Sequence, residues 1–181
     1  MQKRERAAVP AVSGANASRL ADPMALYDEA FMLKSVELAG SGAAAGFGGP
    51  FGAVVVRDGA IIAEATNRVL VDLDPTAHAE VTAIRQACAA LGVFQLDRCQ
   101  IYSSCEPCPM CLGAVYWARP QVVFFAGNRA DAAFGDFDDA FIYDELNMAM
   151  ESRTIPFLQV PVEGARQVFI DWKAKVDRTG Y

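Results

Sequence analysis

Two short segments of the chain carry side chains that can bind a metal ion and move a proton. The first contains His78 and Glu80, and the second contains Cys108 and Cys111. His78 is the only histidine of the chain, and two residues separate the two cysteines. One imidazole and two thiolates suit zinc, and three protein ligands leave the fourth tetrahedral position for water. Because bound zinc lowers the pKa of that water from roughly 16 to about 7, the pattern predicts a catalytic zinc site.

Glu80 has the chemistry of a proton carrier beside this site. It follows His78 by two residues, so the two side chains would diverge on a regular helix. The pair makes sense at the start of a helix that borders a pocket, with the metal on one side and the substrate on the other. There, a carboxylate takes a proton from zinc-bound water and hands it to a ring nitrogen or a leaving amine. We therefore predict that Glu80 is catalytic.

Other interpretations of the clustered cysteines remain open. Cys105 precedes Cys108 by three residues, so both of them, with Cys111 and His78, also match a closed structural zinc site. Such a site belongs to a non-catalytic interaction domain, and it has four protein ligands and no bound water. In a chain without metal, the thiols would be small apolar core residues.

Length and composition describe an acidic globular protein. The 181 residues fit one domain, and an apolar share of 53% excludes a disordered chain. No apolar run approaches the roughly 18 residues of a membrane span. The formal net charge of −6 disfavours a nucleic-acid partner. The first residues lack a secretory signal, so we expect a cytoplasmic protein whose clustered cysteines bind metal, while Cys88 and Cys99 belong to the core.

The elements that must position these residues alternate between helices and strands. Residues 1–22 lack a periodic apolar face and are expected to form a flexible arm, with a single domain over residues 23–181. Asp22-Pro23 predicts the start of a helix that Gly40-Ser41-Gly42 ends. Asp58-Gly59 between two β-rich runs predicts a hairpin.

Beyond the hairpin, the apolar pattern predicts a mixed sheet with helices on both faces, an α/β/α architecture. The predicted helices are one that ends at Gly92, one over Pro109–Ala118 and two near Asp138–Met150 and Gly164–Val176, and the predicted strands are Gln100–Ser103, Gln121–Ala126 and Phe157–Val160.

The motifs His-x-Glu and Pro-Cys-x-x-Cys together resemble those of the cytidine deaminase superfamily, and the chain is most similar to its guanine deaminase branch. The resemblance extends from about Met24 to Tyr181. The segments that carry it include Gly48–Ala53, Asp74–Glu80, Leu112–Pro120 and Gly135–Tyr143. It implies a three-layer cytidine deaminase-like fold with a mixed five-stranded sheet. It also implies a homodimer that exchanges its C-terminal segments.

The reaction that the resemblance implies is the hydrolysis of guanine at C2 to xanthine and ammonia. Zinc-bound hydroxide would be the nucleophile, and Glu80 would be the proton shuttle. Other substrates remain open, among them tRNA adenosine, cytosine, cytidine and a triazine that imitates the amidine edge of guanine. One hydrogen-bonding side chain decides between such close analogues.

The resemblance also implies the residues of a purine pocket. Asn67 would hydrogen-bond the purine, and Phe51 would stack on it. Asp139, Trp117 and the terminal Tyr181 would close or line the pocket, some of them arriving from the partner subunit. Plainer roles remain open for these residues: a turn cap for Asn67, core packing for Phe51, a helix start for Asp139 and disorder for Tyr181.

Asp144 and Glu145 are the last candidates. On the exchanged helix, either one would supply a second carboxylate that assists departure of the amine or shapes the site. Asp144 lies about one helical turn beyond Asp139. A solvated helix face is the alternative, since charged side chains are mostly exposed.

Overall fold

The computed structural model describes residues 22–180. Of the predicted arm over residues 1–22, only Asp22 lies within this range. Tyr181 lies outside it. The described residues divide into two compact units between Asp144 and Glu145. No helix among them is long and apolar enough to span a membrane.

The larger unit is built on a mixed sheet of four strands in the order β2-β1-β3-β4. The strands are β1 (Gly52–Arg57), β2 (Ala60–Thr66), β3 (Cys99–Cys105) and β4 (Val122–Gly127). β1 is antiparallel to both β2 and β3, and β4 is parallel to β3. The prediction of a mixed sheet is confirmed, although the described residues contain four strands where five were expected. The strand predicted at Phe157–Val160 is wrong, because this exposed segment has no regular secondary structure.

The hairpin between β1 and β2 is confirmed, and its turn explains the sequence there. Asp58 and Gly59 have φ values of 52° and 77°. Two successive residues in the left-handed region are what a tight hairpin turn requires, and Asp-Gly adopts them readily. The turn therefore sets how β1 and β2 pair with each other.

Helices α1 (Glu29–Ala44) and α3 (Ala79–Leu91) pack against opposite faces of the sheet. The other helices of the larger unit are α2 (Val69–Asp72), α4 (Pro109–Ala118) and α5 (Arg129–Phe134), α6 (Ala140–Asn147) crosses the boundary between the units, and α7 (Gln167–Ala174) belongs to the smaller unit. Short 3-10 turns lie at Pro23–Leu26 and Met150–Ser152. Neither α2 nor α5 was predicted, because both are shorter than a detectable apolar period.

Alternate residues of β1 divide the core into two layers, as strand geometry requires. Val55 packs with Ala83 of α3 in one buried cluster, whereas Val54 packs with Met32 of α1 in the other. Cys99 is buried in the first cluster and Cys88 packs against it, which confirms that both are core residues. The arrangement is the predicted α/β/α architecture.

Helix α1 departs from the sequence prediction at both ends. Pro23 begins only a 3-10 turn, and α1 starts after Asp28, whose side chain accepts a hydrogen bond from the backbone nitrogen of Ala30. The helix then continues through the predicted stop at Gly40-Ser41-Gly42 to Ala44. A Cβ atom on Gly42 would lie 2.6 Å from Cβ of Thr66, so this glycine allows α1 to approach β2 closely.

Candidate metal centre and active site

The amino ends of two helices bring the three predicted metal ligands together. His78 immediately precedes α3 and Cys108 immediately precedes α4, and both have extended backbone conformations. Pro109 opens α4, where its fixed φ suits the first helical position. Cys111 lies in the first turn of α4 and is fully buried. Both helix ends present the positive end of a helix dipole, which favours thiolates.

The spacing of the three ligand atoms fits a zinc ion. Nδ1 of His78 lies 3.5 Å from Sγ of Cys108 and 3.5 Å from Sγ of Cys111. Zinc bonds of about 2.3 Å to sulfur and 2.0 Å to nitrogen, at a tetrahedral angle, separate these atoms by about 3.5 Å. The donor set and its spacing therefore suit tetrahedral zinc.

Cys105 does not belong to this group. Its thiol donates to the carbonyl oxygen of Asn128 at 3.5 Å, and it is not among the ligands gathered within 4.8 Å of one another. Within residues 22–180, the group therefore consists of one histidine and two cysteines. The four-ligand structural site is not formed, and three protein ligands are the arrangement of a catalytic zinc site.

The two cysteines differ in their affinity for protons. The hydrogen bond from Cys111, together with His78, lowers the pKa of Cys108 to about 4. The hydrogen bond to Cys108, together with burial, raises the pKa of Cys111. The hydrogen bond to Cys108 also raises the pKa of His78. A metal ion that binds both sulfur atoms must therefore displace the proton of Cys111.

Glu80 is buried beside the ligand group, with a solvent exposure of 5%. Its Oε2 atom lies 3.4 Å from Sγ of Cys111, and its Oε1 atom accepts a hydrogen bond from Oγ of Ser103 at 3.2 Å. Burial raises the pKa of this carboxyl group. Ser103 was not identified from the sequence, because a serine on a strand carries no local signal of a contact with a helix 23 residues away.

Asn67 is buried close to the glycine-rich loop, with an exposure of 5%. Its backbone nitrogen donates to the carbonyl oxygen of Phe51, and its Oδ1 atom accepts from the backbone nitrogen of Val69 at 3.1 Å. Since a backbone N–H only donates, the atom that faces it must be the amide oxygen. The amide nitrogen is therefore the end that remains to donate to a ligand.

Phe51 contacts the loop before α6, and that loop also contains Asp139. The ring of Phe51 contacts that of Phe137 edge to face, at a centroid distance of 5.1 Å. Asp139 lies two residues beyond Phe137 and is half-buried. Burial raises the pKa of Asp139, and the negative charge of Cys108 adds to that effect.

Within the described residues, Trp117 and Asp144 are not gathered at the ligand group. Trp117 is 64% exposed at the end of α4 opposite the metal ligands. Asp144 is exposed on α6, whereas the Glu145 carboxylate accepts hydrogen bonds from the backbone and hydroxyl of Thr154. Tyr181 lies outside the described residues. Roles for Trp117, Asp144 and Tyr181 in the pocket stay predictions.

Comparison with known proteins identifies the family of this chain. Residues 26–126 match the cytidine and deoxycytidylate deaminase zinc-binding region. The chain belongs to the cytidine and deoxycytidylate deaminase family. All three proposed zinc ligands and Glu80 lie within the region that matches this deaminase family, whose members bind zinc through it.

This chain is also similar to individual deaminases of known activity. The guanine deaminase of Bacillus subtilis is 56% identical over 153 residues, which is 84% of this chain and 98% of that protein. The crystal structure of Bacillus subtilis guanine deaminase has a TM-score of 0.83 at 55% identity, covering 86% of this chain and 99% of that one. A tRNA-specific adenosine deaminase of Aquifex aeolicus is 34% identical over 70% of this chain and 82% of that protein.

Proposed function

We propose that this chain hydrolyses guanine at C2 to xanthine and ammonia, with zinc as its cofactor. The observation that carries the proposal is the three-ligand group of His78, Cys108 and Cys111 with the Glu80 carboxylate beside it. The substrate is inferred from the 56% identity with a guanine deaminase. The net charge of −6 supports a small purine over tRNA, because long-range attraction to phosphate is missing.

His78, Cys108 and Cys111 would hold the zinc ion. When bound, zinc would acidify a coordinated water and so supply a nucleophile at neutral pH. Glu80 would accept a proton from the attacking water and pass it to the ring nitrogen next to C2. The same carboxylate would then take the remaining proton from the hydroxyl group on C2 and deliver it to the amine, which leaves as ammonia as the C2 carbonyl forms. Burial raises the pKa of Glu80, which suits a group that must both accept and release a proton.

The remaining pocket residues orient the base. The amide nitrogen of Asn67 donates to an acceptor on the purine edge, because its oxygen is already bonded to Val69. Phe51 offers an aromatic face to the flat ring system, and its contact with Phe137 holds that face in place. Asp139 accepts from N–H groups of the base. Orienting the reacting carbon over the metal centre lowers the entropic part of the barrier.

Ammonia release tests the proposal directly. Zinc-loaded protein is offered guanine, cytosine, cytidine, adenine, adenosine, ammeline and tRNA in parallel. We expect fast release from guanine and a loss of at least 10²–10⁴-fold in Glu80→Ala with zinc still bound. Glu64→Ala, an exposed carboxylate on β2, is the matched control. Release of ammonia from another substrate and not from guanine would agree with the proposed zinc chemistry and contradict the proposed guanine pocket. A near-normal rate in Glu80→Ala would exclude Glu80 as the proton shuttle.

We propose further that the protein is a homodimer whose C-terminal segments are exchanged. In the single chain, residues of the smaller unit expose large apolar side chains, including Phe157, Leu158 and Phe169 at 52%, 84% and 72%. On the larger unit, Tyr116 and Trp117 of α4 are exposed at 75% and 64%. Exposed apolar surface of this extent is typical of protein interfaces. A second copy of the chain is the occupant that the family resemblance favours.

Co-expression of two inactive variants tests the exchange. If Tyr181 completes the site of the partner, Glu80→Ala and Tyr181→Ala are each impaired alone. Their mixed dimer then contains one site with both native residues. Random pairing would restore about a quarter of the parent activity. Without exchange, every site carries one defect and no activity returns, while light scattering reports the dimer independently.

The reaction is expected to take place in the cytoplasm. Cys108 and Cys111 must remain reduced to bind a metal, and all five cysteines of the chain are free thiols in the structure. Cytoplasmic redox buffers maintain that state. Fractionation of cells that produce the protein at native levels tests this expectation.

A further inference from the structure

Ser103 connects the central strand of the sheet to the Glu80 carboxylate. Ser103 lies on β3, opposite Ala53 of β1 and Phe125 of β4, so both neighbouring strands fix its backbone. It is 2% exposed, and its Oγ atom donates to Oε1 of Glu80 at 3.2 Å. A hydroxyl group held this rigidly is a fixed donor for one oxygen of the carboxylate.

The two oxygens of Glu80 therefore have different surroundings. Oε1 faces Ser103, whereas Oε2 faces the ligand group at 3.4 Å from Sγ of Cys111. A carboxylate at the end of a flexible side chain can rotate, which would exchange its oxygens or turn both of them away. Losing the bond to Ser103 would also leave Oε1 buried without this donor. Because an unsatisfied buried acceptor is unfavourable, the Glu80 side chain would then adopt another conformation.

We propose that Ser103 is a positioning residue that holds one oxygen of Glu80 and so directs the other oxygen toward the metal ligands. This inference rests on the proposed function, in which Glu80 carries the proton. Ser103 touches neither the metal ligands nor the pocket residues in any hydrogen bond of the described chain. Its effect therefore passes through Glu80, and it should change kcat while leaving KM unchanged.

The neighbouring serine provides a matched control. Ser104 lies on the same strand with its side chain on the other face, where its Oγ accepts a hydrogen bond from the backbone nitrogen of Gly52 at 2.9 Å. Ser104→Ala removes a hydroxyl group and a hydrogen bond without touching Glu80. We expect Ser103→Ala to lower kcat by about 10–100-fold at unchanged zinc content, and Ser104→Ala to leave kcat within about twofold of the parent.

A second pair of variants covers the case in which Ser103→Ala fails to fold. Ser103→Thr and Ser103→Val add the same volume to the buried site and differ in the hydroxyl group. Ser103→Thr should be faster than Ser103→Val by about tenfold, the effect of a hydrogen bond to a charged group. Equal rates in this pair would overturn the proposal.

A double mutant distinguishes positioning from general damage. In the Glu80→Ala background, Ser103→Ala should cause no further loss, because the residue through which Ser103 acts is gone. A multiplicative loss would mean that Ser103 acts elsewhere, and the proposal would fail.

Crystal structures provide a measurement that needs no activity. The Glu80 carboxylate should leave its parent position in Ser103→Ala and keep it in Ser104→Ala. An unmoved carboxylate in Ser103→Ala would contradict the positioning role even in an active enzyme. Conversely, a moved carboxylate in a protein that releases no ammonia from guanine would retain the positioning role and overturn the proposed function.

Discussion

A Cβ atom on Gly48 would lie 2.1 Å from Oδ1 of Asn67 and 3.1 Å from the carbonyl oxygen of the same residue. The first distance is far below any van der Waals contact, so the amide of Asn67 occupies space that only glycine leaves open. The second distance involves backbone, which yields less readily than a side chain. Gly48 is therefore required for the position of the amide that we assign to purine binding.

Replacing Gly48 by alanine should displace the Asn67 amide. We expect Gly48→Ala to reduce kcat/KM for guanine by about 10²-fold, since a misplacement near 1 Å has that effect on reactions that depend on orientation. Zinc content should stay at the parent level, because none of the three ligands is involved. Steady-state kinetics and metal analysis of the purified variant check both expectations.

Gly40→Ala supplies the matched control and a prediction of its own. Gly40 lies in the exposed part of α1, and a Cβ atom there would meet nothing within 4 Å. Alanine should raise the free energy of unfolding by about 0.5–1 kcal/mol through helix propensity. Denaturant unfolding measures this gain. A similar loss of activity in both glycine variants would mean that the effect at Gly48 is not specific to Asn67.

The edge-to-face contact of Phe51 and Phe137 should appear as an energetic coupling. A double-mutant cycle of Phe51→Leu and Phe137→Leu is expected to show a coupling of about 0.5–1.5 kcal/mol in unfolding free energy. Phe51→Leu should additionally raise KM, because it removes the aromatic face offered to the base. Additive stability effects would contradict a specific contact between the rings.

Asp74 should make the loop before His78 sensitive to acid. Its carboxylate accepts hydrogen bonds from the Thr76 backbone and hydroxyl, at 2.8 Å and 2.7 Å, and these bonds lower its pKa. A depressed folded-state pKa stabilises the protein above the unfolded value of 3.8, and this contribution disappears as pH falls through the folded value. Asp74→Asn should therefore be less stable than the parent at pH 5–7.

The difference between these two proteins is expected to close below a pH of about 4. Urea unfolding of both proteins at matched pH values measures it. If the difference in unfolding free energy stays constant down to the pH of acid denaturation, the lower stability of Asp74→Asn comes from the side-chain amide and not from the loss of an ionisable group.

Removing zinc should weaken the fold as well as the activity. The ligands come from the starts of α3 and α4, so the ion links two helices. We expect chelation to lower the thermal midpoint reversibly, and Cys108→Ser to bind less zinc than the parent. Cys88→Ala, at a half-buried thiol outside the ligand group, should bind the parent amount. Full occupancy in Cys108→Ser, measured by metal analysis, would refute this ligand set.

Local signals account for the elements that the sequence predicted correctly. The Asp58-Gly59 turn and the proline at the start of α4 act through backbone dihedral preferences, which depend on a few adjacent residues. The predicted stop of α1 failed for the opposite reason. Gly42 lies inside the helix, where it lets Thr66 approach from a strand 24 positions away in the sequence.

The sequence by itself determined the metal-binding chemistry, because His78, Cys108 and Cys111 are recognisable by residue type and spacing at two helix starts. It also indicated Glu80 and the layered α/β architecture, since both follow from local pattern and periodicity. It left open whether Cys105 was a fourth ligand. The tertiary structure excluded that, because Cys105 faces Asn128.

Only the tertiary structure decided which residues support that chemistry. The contacts of Ser103 with Glu80, of Gly48 with Asn67 and of Phe51 with Phe137 each join separate parts of the chain. Such contacts depend on strand register and on how closely helices pack against the sheet, and neither is encoded by neighbouring residues alone. For this reason the metal ligands could be predicted from their spacing, whereas the groups that position Glu80, Asn67 and Phe51 could not.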